Sequence, residues 1–305
     1  MPASLNVLYL GDIVGNPGRL AVRQLLPELR KRYQPDLVIA NAENIANGSG
    51  LTPELYDKLE QIGVDGMTLG DHVFKKAQIV PTLNKAKNLI RPANLSPQAP
   101  GKGAMVLHPR NEHGEPRREF DGVGVHVITV LGRIYMSNMP ANDPFECVDR
   151  YLASLRDSRA LVIVEVHAET SSEKVAMGWH LNGRVAAVVG THTHVATADA
   201  RLLPHRYDEQ TDDPGPQRLA PDGGPVGTAY LTDLGMCGPH DSVLGRRVDR
   251  VLKQMTTGSY AAFDVAAGNP IANGVSLTLD VQTGLCRAIE PVSMPADVTQ
   301  PPFVQ

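Results

Sequence analysis

The sequence predicts an α/β fold that contains a partly parallel sheet. Short apolar runs alternate with helix-like stretches along most of the chain, which is the pattern of strands joined by crossover helices. Several of these runs are followed directly by an acid, an amide or a histidine. The chain has 305 residues, of which 42% are hydrophobic, so it can bury a large single core. We therefore expect one domain spanning residues 1–305.

The first half of the chain begins with NVLYL (6–10), a run typical of a buried strand. Asn16 and Pro17 indicate a helix cap followed by a first-turn proline. The helix should continue to about Lys31, with a kink or break at Pro27. The next predicted elements are the strand DLVIA (36–40), the helix PELYDKLEQI (53–62) and the strand VDGMTL (64–69).

The second half repeats this alternation and closes with β structure. Its next predicted elements are the strand VGVHVITVLG (123–132), the helix FECVDRYLASLRD (145–157) and the strands ALVIVEVH (160–167) and VAAVVG (185–190). The segments 227–236 and 274–292 then indicate antiparallel strands added to the sheet. Two polar stretches, 108–122 and 204–227, are predicted to be surface loops, and the tail 295–305 is expected to be mobile.

Charge and cysteine usage narrow the class of protein. The formal charge is -4, which argues against nonspecific binding to nucleic acid or membrane because such binding needs basic patches. The N-terminal segment lacks the basic start of a signal peptide, and no window approaches the apolar length of a membrane span. The three cysteines, Cys147, Cys237 and Cys286, are far apart, which is typical of reduced thiols. We therefore expect a cytoplasmic protein.

Metal-ligating side chains follow five of the apolar runs. In chain order they are Asp12, Glu43 with Asn44, Asp71 with His72, His167, and His192 with His194. Because ligands bind at the carboxyl edge of open α/β sheets, these side chains should converge there. Carboxylate, amide and imidazole groups favour Mn, Fe, Zn or Mg over Cu(I) or an iron–sulfur cluster. They are too many for one tetrahedral zinc, so the sequence predicts a site for two metal ions with a bridging carboxylate.

Each of these residues also has a plain structural explanation. Asp12 could belong to a turn, Glu43 could cap a helix and His167 could be a satisfied core histidine. The pair Asp71–His72 could lie in a solvated loop. The two histidines of THTH are harder to explain in this way, because alternate positions on an extended chain share one side. Taken together, the five strand ends favour the metal site.

Other catalytic motifs do not fit the sequence. The glycines of GDIVGNPG lack the GxGxxG spacing, and no GK[ST] follows them. The S-x-x-K of residues 171–174 has no accompanying SDN or KTG element, and GxSxG does not occur. A dinucleotide-binding fold and a serine acyl-enzyme are therefore not indicated.

The motifs GDIVG, NAEN, LGDHV, VHAETSSEKVAMGW and GTHTHVATAD resemble those of the calcineurin-like metallophosphoesterases, and most closely the YmdB-like branch. The resemblance extends from Asn6 to about Val292. It implies a four-layer α-β-β-α sandwich with two divalent metal ions at the carboxyl ends of the strands. It also implies phosphodiesterase activity, with 2′,3′-cyclic nucleotides among the substrates, and it suggests a homo-oligomer.

Site roles follow from the same resemblance, position by position. It implies seven metal ligands: Asp12, Asn44 and His194 on the first metal, Asp71, His167 and His192 on the second, and Glu43 between them. A hydroxide held between the metals would attack phosphorus, and His72 would protonate the leaving alkoxide as general acid. Residues near Arg91, Asn94 and the 171–174 segment are expected to affect substrate specificity.

One residue departs from the family pattern. The third motif of the family reads GNH, whereas this chain has GDH, which places Asp71 where an asparagine is expected. Three carboxylates would then face two divalent cations, so the net charge is 4 − 3 = +1 rather than +2. We expect tighter metal binding and a weaker pull on an anionic substrate. Two alternatives therefore stay open: a slow or inactive regulatory metal protein, and a binuclear hydrolase of amide or ester bonds.

Overall fold

Two β-sheets face each other in the computed structural model, which describes residues 4–109, 115, 117–136, 139–157, 159–204 and 217–303. The strands are β1 (Ser4–Leu10), β2 (Asp12–Ile13), β3 (Leu37–Asn41), β4 (Gly66–Thr68), β5 (Leu89–Ile90), β6 (Ala104–Leu107), β7 (Val125–Leu131), β8 (Leu161–His167), β9 (Ala187–Thr191), β10 (Arg201–Leu202), β11 (Arg218–Leu219), β12 (Pro225–Val226), β13 (Ala229–Leu231), β14 (Met236–Pro239), β15 (Pro270–Asp280) and β16 (Cys286–Pro295). The helices are α1 (Gly15–Tyr33), α2 (Pro53–Gln61), α3 (Val80–Lys85), α4 (Pro144–Ser154), α5 (Ser171–His180) and α6 (Val248–Thr257).

The two sheets have parallel centres. The larger sheet has the order β2-β14-β15-β1-β3-β4-β5, with β16 paired to β15. Its strands β1, β3, β4 and β5 are parallel, and β15 is antiparallel to β1. The smaller sheet has the order β10-β13-β9-β8-β7-β6, in which β7, β8, β9 and β13 are parallel. The carboxyl ends of both parallel sets are thus available to form one site.

The hydrophobic core divides into layers according to the alternation of side chains along the strands. On β1, Leu5, Val7 and Tyr9 enter the cluster between the two sheets. On β8, Val162 and Val164 belong to a separate cluster that also contains apolar side chains of α4 and α5. A third cluster joins the outer face of the larger sheet to α1 and α2. The predicted α/β fold with four α-β-β-α layers is confirmed.

Helix α1 differs from its prediction in where it begins and in its continuation past Pro27. It begins at Gly15, two residues before the predicted first-turn Pro17, and its N-cap is Val14, which forms no side-chain cap. The predicted break at Pro27 does not occur, since the helix continues to Tyr33. Pro27 leaves the carbonyl four residues earlier, at Arg23, without its helical partner, and both residues lie on the exposed face where water can replace it.

The strands after residue 226 are only partly antiparallel, so the prediction for 227–236 was wrong in part. β13 pairs in parallel with β9 and antiparallel with β10, and β14 pairs in parallel with β2 and antiparallel with β15. A parallel pair of strands needs a long connection, and residues 192–228 supply one between β9 and β13. Composition does not reveal whether a strand is parallel or antiparallel to its neighbour. The predicted antiparallel hairpin of 274–292 is confirmed as β15 and β16.

The predicted loops and tail are only partly within the described residues. In the first loop, Phe120 of a short 3₁₀ turn is buried and Arg117 pairs with Asp36, while 110–114 and 116 lie outside the description. In the second, 205–216 lie outside, and β11 and β12 form a small hairpin. The Gln24 side chain donates hydrogen bonds to two backbone carbonyls of the tail. No helix in the described part of the chain has the length and apolarity to span a membrane.

Candidate metal centre

The carboxyl ends of both sheets contribute polar side chains to one place. Asp12 begins β2, Glu43 and Asp71 lie in the turns after β3 and β4, His167 ends β8, and His192 follows β9. One potential ligand atom from each of Glu43, Asp71, His167 and His192 lies within 4.8 Å of the others. The structure therefore brings together residues that are up to 149 positions apart, from 43 to 192.

The geometry of this four-residue cluster fits a bound cation. His167 Nε2 lies 3.1 Å from Glu43 Oε1 and 3.1 Å from Asp71 Oδ1. His192 Nδ1 lies 3.3 Å from the same Asp71 oxygen and 3.1 Å from His167 Nε2. In the neutral metal-ligating form these two ring nitrogens each present a lone pair, which a cation between them would satisfy. The donor set suits a divalent first-row metal.

A second group of donors lies beside the first. His194 Nε2 is 3.1 Å from Asn44 Nδ2 and 3.8 Å from Asp12 Oδ1. Asp12 is fully buried, and its Oδ1 has no hydrogen-bond partner among the described residues, although its Oδ2 accepts from the His192 backbone N–H. An unpaired buried carboxylate oxygen is costly, and a cation would remove that cost. Asn44 would ligate through its oxygen, which requires the amide to turn from its present orientation.

Protons balance the charge of the cluster when no cation is present. Burial raises the pKa of Asp12 to about 7, although the charge of His167 acts in the opposite direction. Burial would lower the pKa of His167, but the charge of Glu43 and the bonds to Asp71 and Glu43 outweigh it and raise that pKa well above its usual value. Burial would raise the pKa of both Glu43 and Asp71, but the neighbouring histidines lower it below the usual range. The site is thus built for positive charge.

Gly70 makes room for the cluster. A Cβ at this position would lie 2.2 Å from His167 Nε2 and 2.4 Å from Glu43 Oε2. These separations are far inside van der Waals contact, so any larger residue would displace the ligand side chains. The glycine before the Asp71–His72 pair is therefore required by packing at the site itself.

The loop that carries the two final histidines has an uncommon backbone. His192 has φ 93° and His194 has φ 65°, which is the left-handed region that non-glycine residues rarely adopt. The residue between them, Thr193, donates its hydroxyl to Asp233 Oδ2 at 2.6 Å. The same oxygen accepts from Lys174 Nζ at 2.7 Å, and both partners of this ion pair are buried. The pair holds the loop in the conformation that directs both histidines inward.

His72 stands at the edge of the ligand group. Its Nδ1 lies 2.8 Å from Asn44 Oδ1 and its Nε2 lies 3.6 Å from Asp71 Oδ2. Its backbone N–H donates to Glu43 Oε2 at 3.0 Å. The side chain keeps 26% of its surface exposed, more than His192 or His194, and burial lowers its pKa below the usual histidine value. It can therefore meet a molecule that enters from solvent.

Comparison with known proteins identifies the family. A model of YmdB-like proteins matches residues 8–216 and 218–292, nearly the whole chain. The chain belongs to the YmdB-like family. The family recognised from the motifs is thereby confirmed, together with the expectation of a phosphoesterase-type enzyme.

Relatives of this YmdB-like chain match it over almost their full length. A Bacillus subtilis protein named 2′,3′-cyclic-nucleotide 2′-phosphodiesterase is 37% identical over 286 residues, covering 94% of this chain and 96% of that protein. A crystal structure described as a novel phosphatase from Mycoplasma pneumoniae is 32% identical with a TM-score of 0.80, covering 100% of this chain and 97% of that one. A crystal structure of a hypothetical protein from Thermus thermophilus is 35% identical with a TM-score of 0.77, covering 96% of this chain and 100% of that one.

Two contacts to the histidines were not expected from the sequence. His192 Nε2 lies 3.1 Å from Glu169 Oε2, and His194 Nδ1 lies 3.0 Å from the backbone carbonyl of Leu244. Each leaves the opposite ring nitrogen facing the ligand group, as is usual for metal-ligating histidines. The position of Glu169, two residues after His167, could have indicated the first contact from the sequence. The second contact involves a backbone atom 50 residues away, and no sequence feature indicated it.

The residues expected to affect substrate specificity are mostly structural. Arg91 is buried and donates to loop carbonyls, including that of Pro92 at 2.7 Å. Asn94 is buried and bonds to the backbone N–H and carbonyl of Leu131, at 2.8 Å each. Lys174 is the buried partner of Asp233. These three side chains are buried, and the expectation that residues near them affect substrate specificity stays a prediction.

Proposed function

We propose that this YmdB-like protein is a binuclear metal-dependent phosphodiesterase that hydrolyses 2′,3′-cyclic nucleotides or related small phosphodiesters. The observation that carries the proposal is the joint arrangement of two adjacent donor groups with His72 at their edge. The Bacillus subtilis relative, by its name, supports this substrate class. We also retain the predictions of a homo-oligomer and a cytoplasmic location.

The ligands of the proposed centre fall into two groups with one shared member. We assign Asp12, Asn44 and His194 to one metal and Asp71, His167 and His192 to the other, with Glu43 between them. Two divalent ions would supply Lewis acidity, which stabilises charge on phosphate oxygens and lowers the pKa of water. Their identity among Fe, Mn, Zn and Mg stays open, because the mixed N and O donors suit all four.

The chain itself supplies orientation and a proton. We propose that His72 donates a proton to the leaving alkoxide, since its ring is partly exposed beside the ligand group and its backbone is fixed by Glu43. Burial lowers its pKa, so its imidazolium form gives up a proton readily. The buried ligand side chains are held by hydrogen bonds and by the sheets, so little reorganisation is needed when a phosphodiester binds.

Asp71 favours a second candidate, a metal protein with slow or no turnover. Its carboxylate contacts both His167 and His192, at 3.1 and 3.3 Å, and adds a negative charge that the family asparagine would not bring. That charge strengthens the hold on a cation and weakens the attraction for an anionic phosphodiester. The same ligand set would also serve a hydrolase of amide or ester bonds, which a substrate screen distinguishes.

The test combines metal analysis with turnover on one purified sample. We expect about two divalent ions per chain, and hydrolysis of 2′,3′-cyclic AMP that is lost on chelation and restored by Mn²⁺ or Zn²⁺. An anilide and a simple ester are assayed in parallel. Full metal content without phosphodiester turnover would favour the slow regulatory protein. Faster turnover of the anilide or the ester would favour a hydrolase of amide or ester bonds.

A further inference from the structure

A carboxyl group that is not among the proposed metal ligands lies buried between the two sheets. Glu165 on β8 is fully buried, and its Oε1 lies 4.0 Å from Nδ1 of the proposed ligand His167. It accepts hydrogen bonds from the hydroxyl of Tyr9, from Asn41 Nδ2 at 2.7 Å and from Thr191 Oγ1 at 2.7 Å. A buried polar group is costly unless it is hydrogen-bonded, and three donors hold this carboxyl group in one orientation. Glu165 is therefore a candidate for a functional role.

The direction of each hydrogen bond in this network can be assigned. The Asn41 side-chain oxygen accepts from the Glu43 backbone N–H at 3.0 Å, so its nitrogen donates to Glu165. Thr191 donates its single hydroxyl proton to Glu165 Oε1. Thr191 Oγ1 lies 2.8 Å from His167 Nδ1 and must therefore accept a proton from that ring nitrogen. His167 Nε2 is then the nitrogen that faces the ligand group.

We propose that Glu165 and Thr191 are positioning residues that fix the ring of His167 with Nδ1 protonated and Nε2 free for a metal, an inference that rests on the proposed function. The same carboxylate, acting through Asn41, fixes the backbone of Glu43. Hydrogen bonds of this kind behind ligating histidines set ring orientation and tautomer.

The network also joins the two halves of the proposed centre. Tyr9 and Asn41 belong to β1 and β3 of the larger sheet, whereas Glu165 and Thr191 belong to β8 and β9 of the smaller one. The ligands it holds are likewise divided, since Glu43 follows β3 and His167 ends β8. The distance between ligands from different sheets is therefore held by polar bonds in addition to apolar packing.

Metal affinity tests the proposal with a matched set of variants. Zn²⁺ binding is measured by competition with a chelator for the wild type, Thr191→Val, Thr191→Ser and Thr129→Val. Thr129 is the control because it is fully buried and lies opposite Glu165 in the β7–β8 register, and its hydroxyl has no hydrogen-bond partner in the described part of the chain. Unfolding of the metal-free proteins is recorded alongside.

We expect Thr191→Val to weaken Zn²⁺ binding by about 10- to 100-fold, because the Nδ1–H of His167 loses its acceptor. Thr191→Ser keeps the hydroxyl and should stay within about threefold of the wild type, and Thr129→Val should bind as the wild type does. A folded Thr191→Val protein that binds Zn²⁺ like the wild type would overturn the inference. The inference also fails if Thr191→Val and Thr129→Val weaken binding equally.

A second measurement needs no variant to fold. In ¹⁵N NMR of the zinc-loaded wild type, the proposal expects His167 Nδ1 to carry a proton and Nε2 to be the metal-bound nitrogen. The opposite assignment overturns it. If the wild type binds no zinc, the metal centre of the proposed function fails and this inference fails with it, whereas intact binding in Thr191→Val removes only the inference.

Discussion

The Nδ1 of His72 lies 2.8 Å from the side-chain oxygen of Asn44. An amide oxygen only accepts, so this ring nitrogen carries a proton in the metal-free protein. The contact joins the proposed proton donor to a proposed ligand without making the histidine a ligand itself. In the metal-free protein His72 is thus held beside the ligand group, with its Nε2 3.6 Å from Asp71 Oδ2.

Removal of His72 should affect substrates according to their leaving group. His72→Ala is expected to slow hydrolysis of a 2′,3′-cyclic nucleotide by about 10²- to 10⁴-fold, because the departing alkoxide needs a proton. Bis-p-nitrophenyl phosphate should be affected much less, since nitrophenolate leaves without one. Steady-state assays and metal analysis measure both effects. His180→Ala, a change at the end of α5, is the control, and an equal loss on both substrates would contradict the assigned role.

Asp71→Asn tests whether the natural carboxylate slows the enzyme. Removal of one negative charge should raise turnover of a phosphodiester on the order of tenfold and weaken metal binding by a similar factor. The reason is that the cations would then attract the substrate and acidify water more strongly. Activity at saturating metal and a metal titration separate the two effects. If Asp71→Asn with full metal content turns over the phosphodiester at the wild-type rate, the Asp71 carboxylate does not slow the enzyme.

Metal affinity should rise with pH. In the metal-free protein the pKa of Asp12 is raised to about 7 by burial. The pKa of His167 is raised well above the usual histidine value by the nearby carboxylates. A cation must displace these protons, so binding strengthens as pH rises through about 7 and continues to strengthen above it. Glu43 and Asp71, whose pKa values are lowered, are already ionised and add nothing to this trend.

Calorimetric titration in two buffers of different ionisation enthalpy checks this expectation. Between one and two protons per chain should be released near pH 7, as a rough estimate from the two raised pKa values. Affinity that stays flat between about pH 6 and pH 8 would contradict the proposed protonation of Asp12 and His167.

Gly70→Ala should disable the metal centre. The added Cβ would overlap His167 Nε2 and Glu43 Oε2, so we expect loss of metal binding and a decrease of about 1–3 kcal/mol in the free energy of unfolding. The control is Gly122→Ala, where a Cβ meets no atom of the described residues within 4 Å and the positive φ is penalised. Denaturant unfolding and a metal titration of both variants provide the measurement. Normal metal binding in Gly70→Ala would contradict the close packing described.

Lys174→Met should destabilise the histidine loop through its buried ion pair. The change leaves the Asp233 carboxylate without its cation and is expected to cost about 3–5 kcal/mol in the free energy of unfolding. Adding Asp233→Asn removes the unpaired charge, so the double variant should lose less than the sum of the single changes. Urea unfolding measures the set. Additive losses would mean that the two side chains act independently.

The class of fold and the family could be predicted from the sequence alone. Short apolar runs indicated the strands, and among the polar residues that follow them Glu43, Asp71, His167 and His192 lie together in the structure. Pattern and composition are local properties, so they do not contain strand direction. This is why 227–236 was predicted to be antiparallel, whereas β13 is parallel to β9.

Only the tertiary structure decided which side chains support the site and which are structural. The hydroxyl of Thr191 reaches His167, and Lys174 reaches Asp233, because strands distant in sequence are brought side by side. Burial likewise makes Arg91 a donor to the backbone carbonyl of Pro92, which its sequence position did not indicate. Hydrogen-bond partners and solvent exposure depend on the packing of the two sheets, and no short stretch of sequence specifies that packing.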